Sequence, residues 1–324
     1  VGDAKVIPFH EGGRRARGER EESGAAPEAA VPREAPPDGE PAGAADGLDR
    51  ALARGFAFLR RRITGEYEVD DFGYDEDLTD EVLLRLLRPV YEKYFRVEVR
   101  GIENIPADGG ALLVANHSGA LPWDGLMLQV AVRDRHPAGR NLRLLAADLV
   151  FRLPVVNGLA RKAGHTLACA EDAGELLRRG ELVGVMPEGF KGLGKPYAER
   201  YKLQRFGRGG FVATALRAGV PIVPCAIVGA EEIHPMLGNA RVVARLLGLP
   251  YFPVTPTFPW LGPLGAVPLP TKWTIQFGEP IGTGERPPGA ADDPMLVFQL
   301  TDQVRETIQH TLYKLLVGRR SLFF

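Results

Sequence analysis

The sequence predicts an α/β protein, a largely parallel sheet flanked by helices, behind a disordered N-terminal tail and an N-terminal amphipathic helix. Three observations predict it. From about residue 95 onward, short apolar runs alternate with helical stretches, the pattern of βα units. Polar clusters able to do chemistry follow directly after two of those runs, where open α/β sheets build their sites. The leading segment is rich in Ala, Gly, Pro, Glu and Arg and too poor in large apolar side chains to offset its ordering entropy. At 324 residues the chain is long enough for one large domain of this class.

Taken in order, residues 1–46 read as the tail. Leu48, Leu52, Phe56, Leu59 and Ile63 then recur at spacings of four, four, three and four, which is one face of a helix, with Arg50, Arg54, Arg60, Arg61 and Arg62 at other positions. Such a stripe suits either packing on the main domain or lying in a membrane interface. Residues 66–81 hold nine acids and no base. Thr79 is placed to cap a helix over about 80–94. This gives a helical segment with an acidic linker over 47–94 and a main domain over 95–324.

In that domain the expected strands are Phe95–Val99, Ala111–Ala115, Leu142–Ala146, Leu182–Met186, Ile222–Val228 and Trp273–Phe277. The expected helices are Gly125–Val132, Ala147–Ala163, Ala170–Arg179, Gly209–Ala218, Pro235–Leu247 and Pro294–Val317. Pro221 and Pro224 argue that the strand between them is a strand start or an edge. The uncharged stretch 246–270 is apolar, but seven of its 25 residues are proline, so it cannot satisfy its own backbone as a spanning helix.

The formal net charge is only −1, and it is a cancellation. Residues 1–50 carry seven bases and eleven acids, 51–65 carry four bases, and 66–82 carry nine acids, which leaves 29 bases against 21 acids from 83 onward. The main domain is basic. Seven bases crowd into 191–217 with Glu199 as the only acid, a patch that suits a phosphate headgroup or an anionic lipid surface. Two cysteines, Cys169 and Cys225, are too few for a disulfide scaffold and fit a reducing cytoplasm. No Cys/His cluster has ligand spacing, so neither a metal nor a resident cofactor is expected.

Two clusters carry the chemistry. Asn116-His117-Ser118-Gly119-Ala120-Leu121-Pro122-Trp123-Asp124 follows the run Ala111–Ala115. An Asp a short loop beyond a His can accept its Nδ1 proton, fix the tautomer and leave Nε2 free as a base. No Gly-x-Ser-x-Gly elbow exists, so this base would act on the substrate's own hydroxyl and a hydrolase is disfavoured. Val185-Met186-Pro187-Glu188-Gly189-Phe190-Lys191-Gly192 ends the run Leu182–Met186. There Glu188 can accept from hydroxyls, Lys191 can attract a phosphate, and the glycines let a backbone approach. His10, His136 and His310 read as tail or exposed residues, and His165 and His234 as core or surface.

In this order the clusters resemble the glycerolipid acyltransferase superfamily. Asn116-His117 with Asp124 is similar to its first block, Pro187-Glu188-Gly189 to its third and Pro221-Ile222-Val223-Pro224 to its fourth. Phe151–Gly164 is similar to the second, with Arg161 as a phosphate contact. The resemblance covers about 95–285. Six residues separate His117 from Asp124 where the family has four, a spacing that resembles the branch near the acylglycerol acyltransferases. Phe190 and Lys191 replace the family's Thr and Arg.

The resemblance implies an O-acyltransferase with His117 and Asp124 catalytic and Asn116, Arg161, Glu188, Gly189 and Lys191 binding substrate. It implies acyl-CoA or acyl carrier protein as co-substrate and a lysophospholipid or glycerol-phosphate-type acceptor, or alternatively a neutral acylglycerol or long-chain alcohol. A non-catalytic lipid-surface binder of the same fold is the contrasting expectation. The expected surroundings are an anionic membrane surface, the inner face of the plasma membrane, and no nucleic acid. Backbone amides near Gly119 or Gly189 are the expected oxyanion donors. The stretch 246–270, with Tyr251, Phe252, Phe258 and Trp260, is expected to wall the acyl groove, dip into the bilayer, or cover the core.

Overall fold

The computed structural model describes residues 44–118, 121–249, 251–284, 286–287 and 289–323. The expected tail lies outside the described residues up to residue 43, as do His10 and Gly119. The chain forms two compact units, Val1–Asp71 and Phe72–Phe324.

In the first unit one helix runs over Ala44–Thr64, longer than its apolar stripe predicts. Phe56, Leu59 and Ile63 are exposed, and the Arg62 guanidinium stacks over Tyr67 at 4.3 Å.

The second unit begins with a helical run over 76–94 that contributes Leu84 and Tyr91 to the core. The boundary between units therefore falls at Asp71–Phe72 rather than ahead of residue 95. Asp75, not Thr79, caps this run: its carboxylate accepts from Leu78 N at 2.9 Å. Thr79 lies inside, and its hydroxyl donates to Lys162 O at 2.9 Å. Asp is the stronger capping residue because its charge also faces the positive helix end. Two π-turns, Thr79–Leu84 and Val90–Tyr94, flank the stretch containing Pro89.

The sheet comprises β1 (Glu98–Arg100), β2 (Ala111–Ala115), β3 (Leu142–Ala146), β4 (Thr166–Leu167), β5 (Leu182–Val185), β6 (Ile222–Val228) and, after a separate β7 (Gly238–Asn239) and β8 (Pro253–Val254) hairpin, β9 (Thr274–Phe277). The order is β1-β9-β6-β2-β5-β3-β4. Every pairing in it is parallel except β6 with β9. The sheet is largely parallel, as predicted, with β1 and β9 reversed at one side.

Side chains alternate between two covered faces. From β2, Ala111, Leu113 and Ala115 join a core with Leu128, Val132, Ile227 and Phe277. Leu112 and Val114 join the opposite core with Leu177, Val212, Leu300 and Val304. Helices Trp123–Arg135 and 76–94 cover the first face. Helices Ala170–Arg178, Gly210–Ala218 and Pro294–Gly318 cover the second.

Three expectations change. β6 is central and wholly buried, not an edge, although Pro221 does stand directly before its start at Ile222. Pro224 is tolerated because it sits between the β6–β9 ladder, which starts at Cys225, and an isolated bridge from Ile222 to Ile281. The helix expected over Ala147–Ala163 is two, Asp148–Arg152 and Val156–Lys162, because Pro154 breaks it. At the break Val156 N donates to Pro154 O at 2.8 Å around Val155, whose φ of +69° is a strained conformation for a branched side chain. Pro235–Leu247 is likewise not one helix: Gly238 and Asn239 pair in β7, and only Arg241–Leu246 coils.

The directions of the strands decide where a site can form. The carboxyl ends of β2, β3, β5 and β6 and the start of β9 all lie along one sheet edge. Among the described residues no helix is long and apolar enough to cross a membrane.

Candidate active site

Asn116 and His117 are the first two residues beyond β2, and the fold grips them from opposite sides. The Asn116 side chain is fully buried. Its Nδ2 donates to Ile227 O at 3.0 Å, and its Oδ1 accepts from Ile227 N at 2.7 Å. An amide side chain thus extends the β2–β6 ladder one step past Ala115. Its role is to position the next residue, and both its polar atoms face β6 rather than the opening expected for a substrate contact.

On the other side His117 N donates to Glu188 Oε1 at 3.1 Å, just beyond β5. The His117 imidazole reaches back to the helix Trp123–Arg135, where Nδ1 and Asp124 Oδ2 are 2.7 Å apart. The side chain of Asp124 is fully buried, while that of His117 keeps 14% of its surface exposed. Asp124 also accepts from Ser118 N and Gly125 N, both at 2.8 Å. It sits in the first turn of its helix, where the exposed amides favour a negative charge. The longer loop therefore still brings the His and the Asp together. Burial, the largest single influence, pulls the His117 pKa down. The charge and hydrogen bond of Asp124, with the charge of Glu188 behind them, jointly outweigh it and leave the imidazole above the ordinary 6.5.

Glu188 is buried, and its carboxylate faces inward. Besides His117 N it accepts from Gln204 N at 2.7 Å, and Lys195 Nζ lies 3.4 Å away. This differs from the expected contact with acceptor hydroxyls: Glu188 holds the backbone of the base. Lys195 also donates to Glu231 Oε1 at 3.2 Å, and Glu231 Oε2 accepts from Tyr201 N at 2.9 Å. Burial pushes the Glu231 carboxyl up to about 7 against the pull of Lys195. Two carboxylates around one ammonium thus form a buried bracket behind His117.

The basic patch read over 191–217 accordingly loses Lys195 to the interior. Lys191 remains exposed. Arg161 is exposed too, with its Nε donating to Asn157 Oδ1 at 3.1 Å and its guanidinium over Phe151 at 5.0 Å.

Gly189 has φ +53° and ψ −142°, a backbone shape open essentially to glycine. Its own amide donates to Met186 O at 3.1 Å. Gly192 is needed for a different reason. A Cβ there would stand 2.8 Å from Glu188 Cβ and 2.9 Å from His117 O. The short helix Phe190–Leu193 therefore packs directly on the base's backbone.

Glu231 escapes the sequence reading, as do the inward turn of Lys195, the close packing at Gly192 and the seat of Tyr251. Tyr251, from the Pro-rich stretch, packs its ring against the backbone at Gly194. Burial, with a smaller contribution from the Asp124 charge, pushes its phenol up to about 12. Glu231 carries the same signal that marked Glu188, an acid just past a buried strand. Of the other histidines, His165 faces Gln129 Oε1 at 3.1 Å, and burial followed by Arg143 pulls it down to about 4. His234 bonds Ala266 O at 2.9 Å. His136 is buried, not exposed, with Nε2 3.0 Å from Ile105 O.

A buried Asp orienting a part-exposed His at a strand end, with no elbow serine, can activate a hydroxyl brought by a substrate. That is the chemistry of acyl transfer to an alcohol. The family model described as Acyltransferase matches residues 96–228, which include Asn116, His117, Asp124, Arg161, Glu188, Lys191 and Lys195. The chain carries an acyltransferase domain over these residues and is an acyltransferase.

Among its relatives, an uncharacterized protein of Mycobacterium tuberculosis is 62% identical over 277 residues, covering 86% of this chain and 77% of its own length. One from Mycobacterium leprae is 60% identical over 277 residues, covering 86% of this chain and 76% of its own. The human DGAT1/2-independent enzyme synthesizing storage lipids is 30% identical over 184 residues, covering 57% of this chain and 53% of that protein. A crystal structure of the 1-acyl-sn-glycerophosphate acyltransferase of Thermotoga maritima superposes with a TM-score of 0.49 at 19% identity, over 85% of this chain and 99% of that one.

Proposed function

We propose that this acyltransferase moves a fatty acyl chain from acyl-CoA to a hydroxyl of a glycerolipid acceptor at a membrane surface, with His117 as general base. The observation that carries the reading is the 2.7 Å contact between His117 Nδ1 and the buried Asp124 carboxylate. It holds the imidazole with Nε2 as the available base and stabilises the imidazolium once formed.

The acceptor oxygen attacks the thioester carbonyl carbon as its proton passes to Nε2. The tetrahedral intermediate collapses, the carbon–sulfur bond breaks, and the thiolate leaves with the proton that His117 held. Because the leaving group is a thiolate, one base suffices in both directions. Glu188 and Lys195 keep the backbone of the base in place. Lys191 and Arg161, both exposed, offer charge to the donor's phosphates or to an anionic headgroup. Acyl carrier protein presents the same thioester and is the alternative donor.

The acceptor class has two readings. A lysophospholipid or glycerol-phosphate acceptor follows from the basic domain. A neutral acylglycerol follows from the likeness to an enzyme synthesizing storage lipids, and from the Arg161 guanidinium being turned to Asn157 and Phe151.

The test is transfer of labelled acyl groups from acyl-CoA to a panel of lysophospholipids, glycerol phosphates and mono- and diacylglycerols. Wild-type protein transfers to at least one class and His117→Ala to none. Full activity of His117→Ala would refute the assignment of the base.

A further inference from the structure

The segment from Leu237 to Val267 is built inside out. Helix Arg241–Leu246 buries only Ala244. Its large side chains face solvent: Val242 is 71% and Leu246 81% exposed, and Leu247 follows at 59%. The turn at Gly262–Ala266 repeats the arrangement, with Trp260 at 74%, Leu261 at 56% and Leu264 at 72%. A surface this apolar on a water-soluble face is rare and marks a docking site. The charges have one sign. From Ile233 to Gly278 there is no Asp or Glu, while Arg241 and Arg245 are exposed beside the apolar side chains.

Its place in the fold is equally specific. The segment leaves the carboxyl end of β6 and returns at the start of β9, so it stands on the same sheet edge as His117, and Tyr251 packs it against Gly194.

We propose that this segment is the surface by which the protein lies on an anionic phospholipid bilayer, with Leu246, Trp260 and Leu264 among the lipid tails and Arg241 and Arg245 at the headgroups. The inference rests on the proposed function in one respect only, that the substrate is a lipid. Docking by this edge turns the opening beside His117 toward the bilayer. A lipid acceptor then reaches the base without leaving the membrane for water. Large apolar side chains flanked by arginines match an interface in which tails lie below a negative surface. Trp260 suits the boundary between the two.

The test uses the full chain with vesicles of phosphatidylcholine and phosphatidylglycerol. Wild-type protein should float with them, and Leu246→Glu/Trp260→Glu should lower its partition at least tenfold. Both positions are solvent-exposed, so the double variant keeps the fold. Tail-brominated lipid should quench the emission of wild-type protein, and Trp260→Phe should abolish that quenching, since Trp273 is fully buried and Trp123 half-buried. His117→Ala should float as wild type, which separates this inference from the catalytic one.

Unchanged flotation of the double variant would overturn the proposal and leave the apolar stripe of Ala44–Thr64 as the anchor. A concentration-dependent dimer that Leu246→Glu disrupts, with no quenching by brominated lipid, would overturn it in favour of a second copy of the chain.

Discussion

Gly192→Ala is the sharpest probe of how the base is held. The added methyl would meet Glu188 Cβ at 2.8 Å, His117 O at 2.9 Å and His117 Cβ at 3.1 Å, whereas ordinary contact begins at 3.4 Å. Two or more of these neighbours must retreat by about half an ångström, and neither residue can do so freely. The amide of His117 is tied to Glu188, and Glu188 is tied to Gln204 N and Lys195. Overpacking of this kind costs about 1–3 kcal/mol. With a misplacement of about 1 Å costing ~100-fold in rate, half of it should cost roughly tenfold in kcat.

The assay is the initial rate of acyl transfer at saturating donor, with a thermal melt on the same preparation. Gly158→Ala serves as control, because a Cβ there meets nothing within 4 Å. The expected result is a kcat about tenfold lower and a Tm lower by several degrees for Gly192→Ala, with the control at or slightly above wild type. The pH inflection should not move, since the bond from His117 to Asp124 is untouched. Wild-type kcat and Tm in Gly192→Ala would refute the claim that this helix sets the position of the base.

Three further outcomes follow from the same geometry. Neutral imidazole is the active form, so the rate should fall as pH drops through the His117 pKa, which stands above 6.5 in the free enzyme. Asp124→Asn removes the two larger influences that raise it and leaves the Glu188 charge, so kcat should fall about 10³–10⁴-fold and the residual activity should persist to lower pH; a pH–rate profile in kcat/KM reads both. Asn116→Ala leaves Ile227 N and O without their partner in a buried place, and should cost about 2–4 kcal/mol in denaturant unfolding while KM for acyl-CoA in the folded fraction stays near wild type.

Much of this architecture is legible in the sequence, and the reasons differ by element. β2 and β6 match their apolar runs because strands covered on both faces read as unbroken apolar segments, and β3 matches although Arg143 interrupts its run. The approach of His117 to Asp124 is legible as well, since one follows a strand and the other opens a helix. The inward turn of Glu188 is not, because one carboxylate can serve a substrate hydroxyl or a backbone amide, and only the position of Gln204 N decides between them. Lys195 is hidden for a related reason: within a run of bases nothing marks the one that two buried acids will neutralise. The reversal of β9 is also hidden, as an apolar run carries no direction.

One feature of the sheet bears on how such a protein can change. The stretch between β6 and β9 enters and leaves through a single neck, where Thr271 Oγ1 donates to Gly229 O and Leu269 N donates to Ile233 O, each at 2.9 Å. Adjacent antiparallel strands keep those ends one strand apart whatever chain is hung between them, and doubling such a loop costs only about 0.6 kcal/mol in closure entropy. The stretch is therefore a cassette on a fixed chassis. Exchanging, shortening or lengthening its part beyond Met236 leaves the β2–β6 register, and with it Asn116 and His117, where they are, provided Glu231 on Lys195 and the seat of Tyr251 on Gly194 are kept. The proposed membrane-docking surface and the hold on His117 then rest on different residues, and the first can be redesigned by grafting without retuning the second.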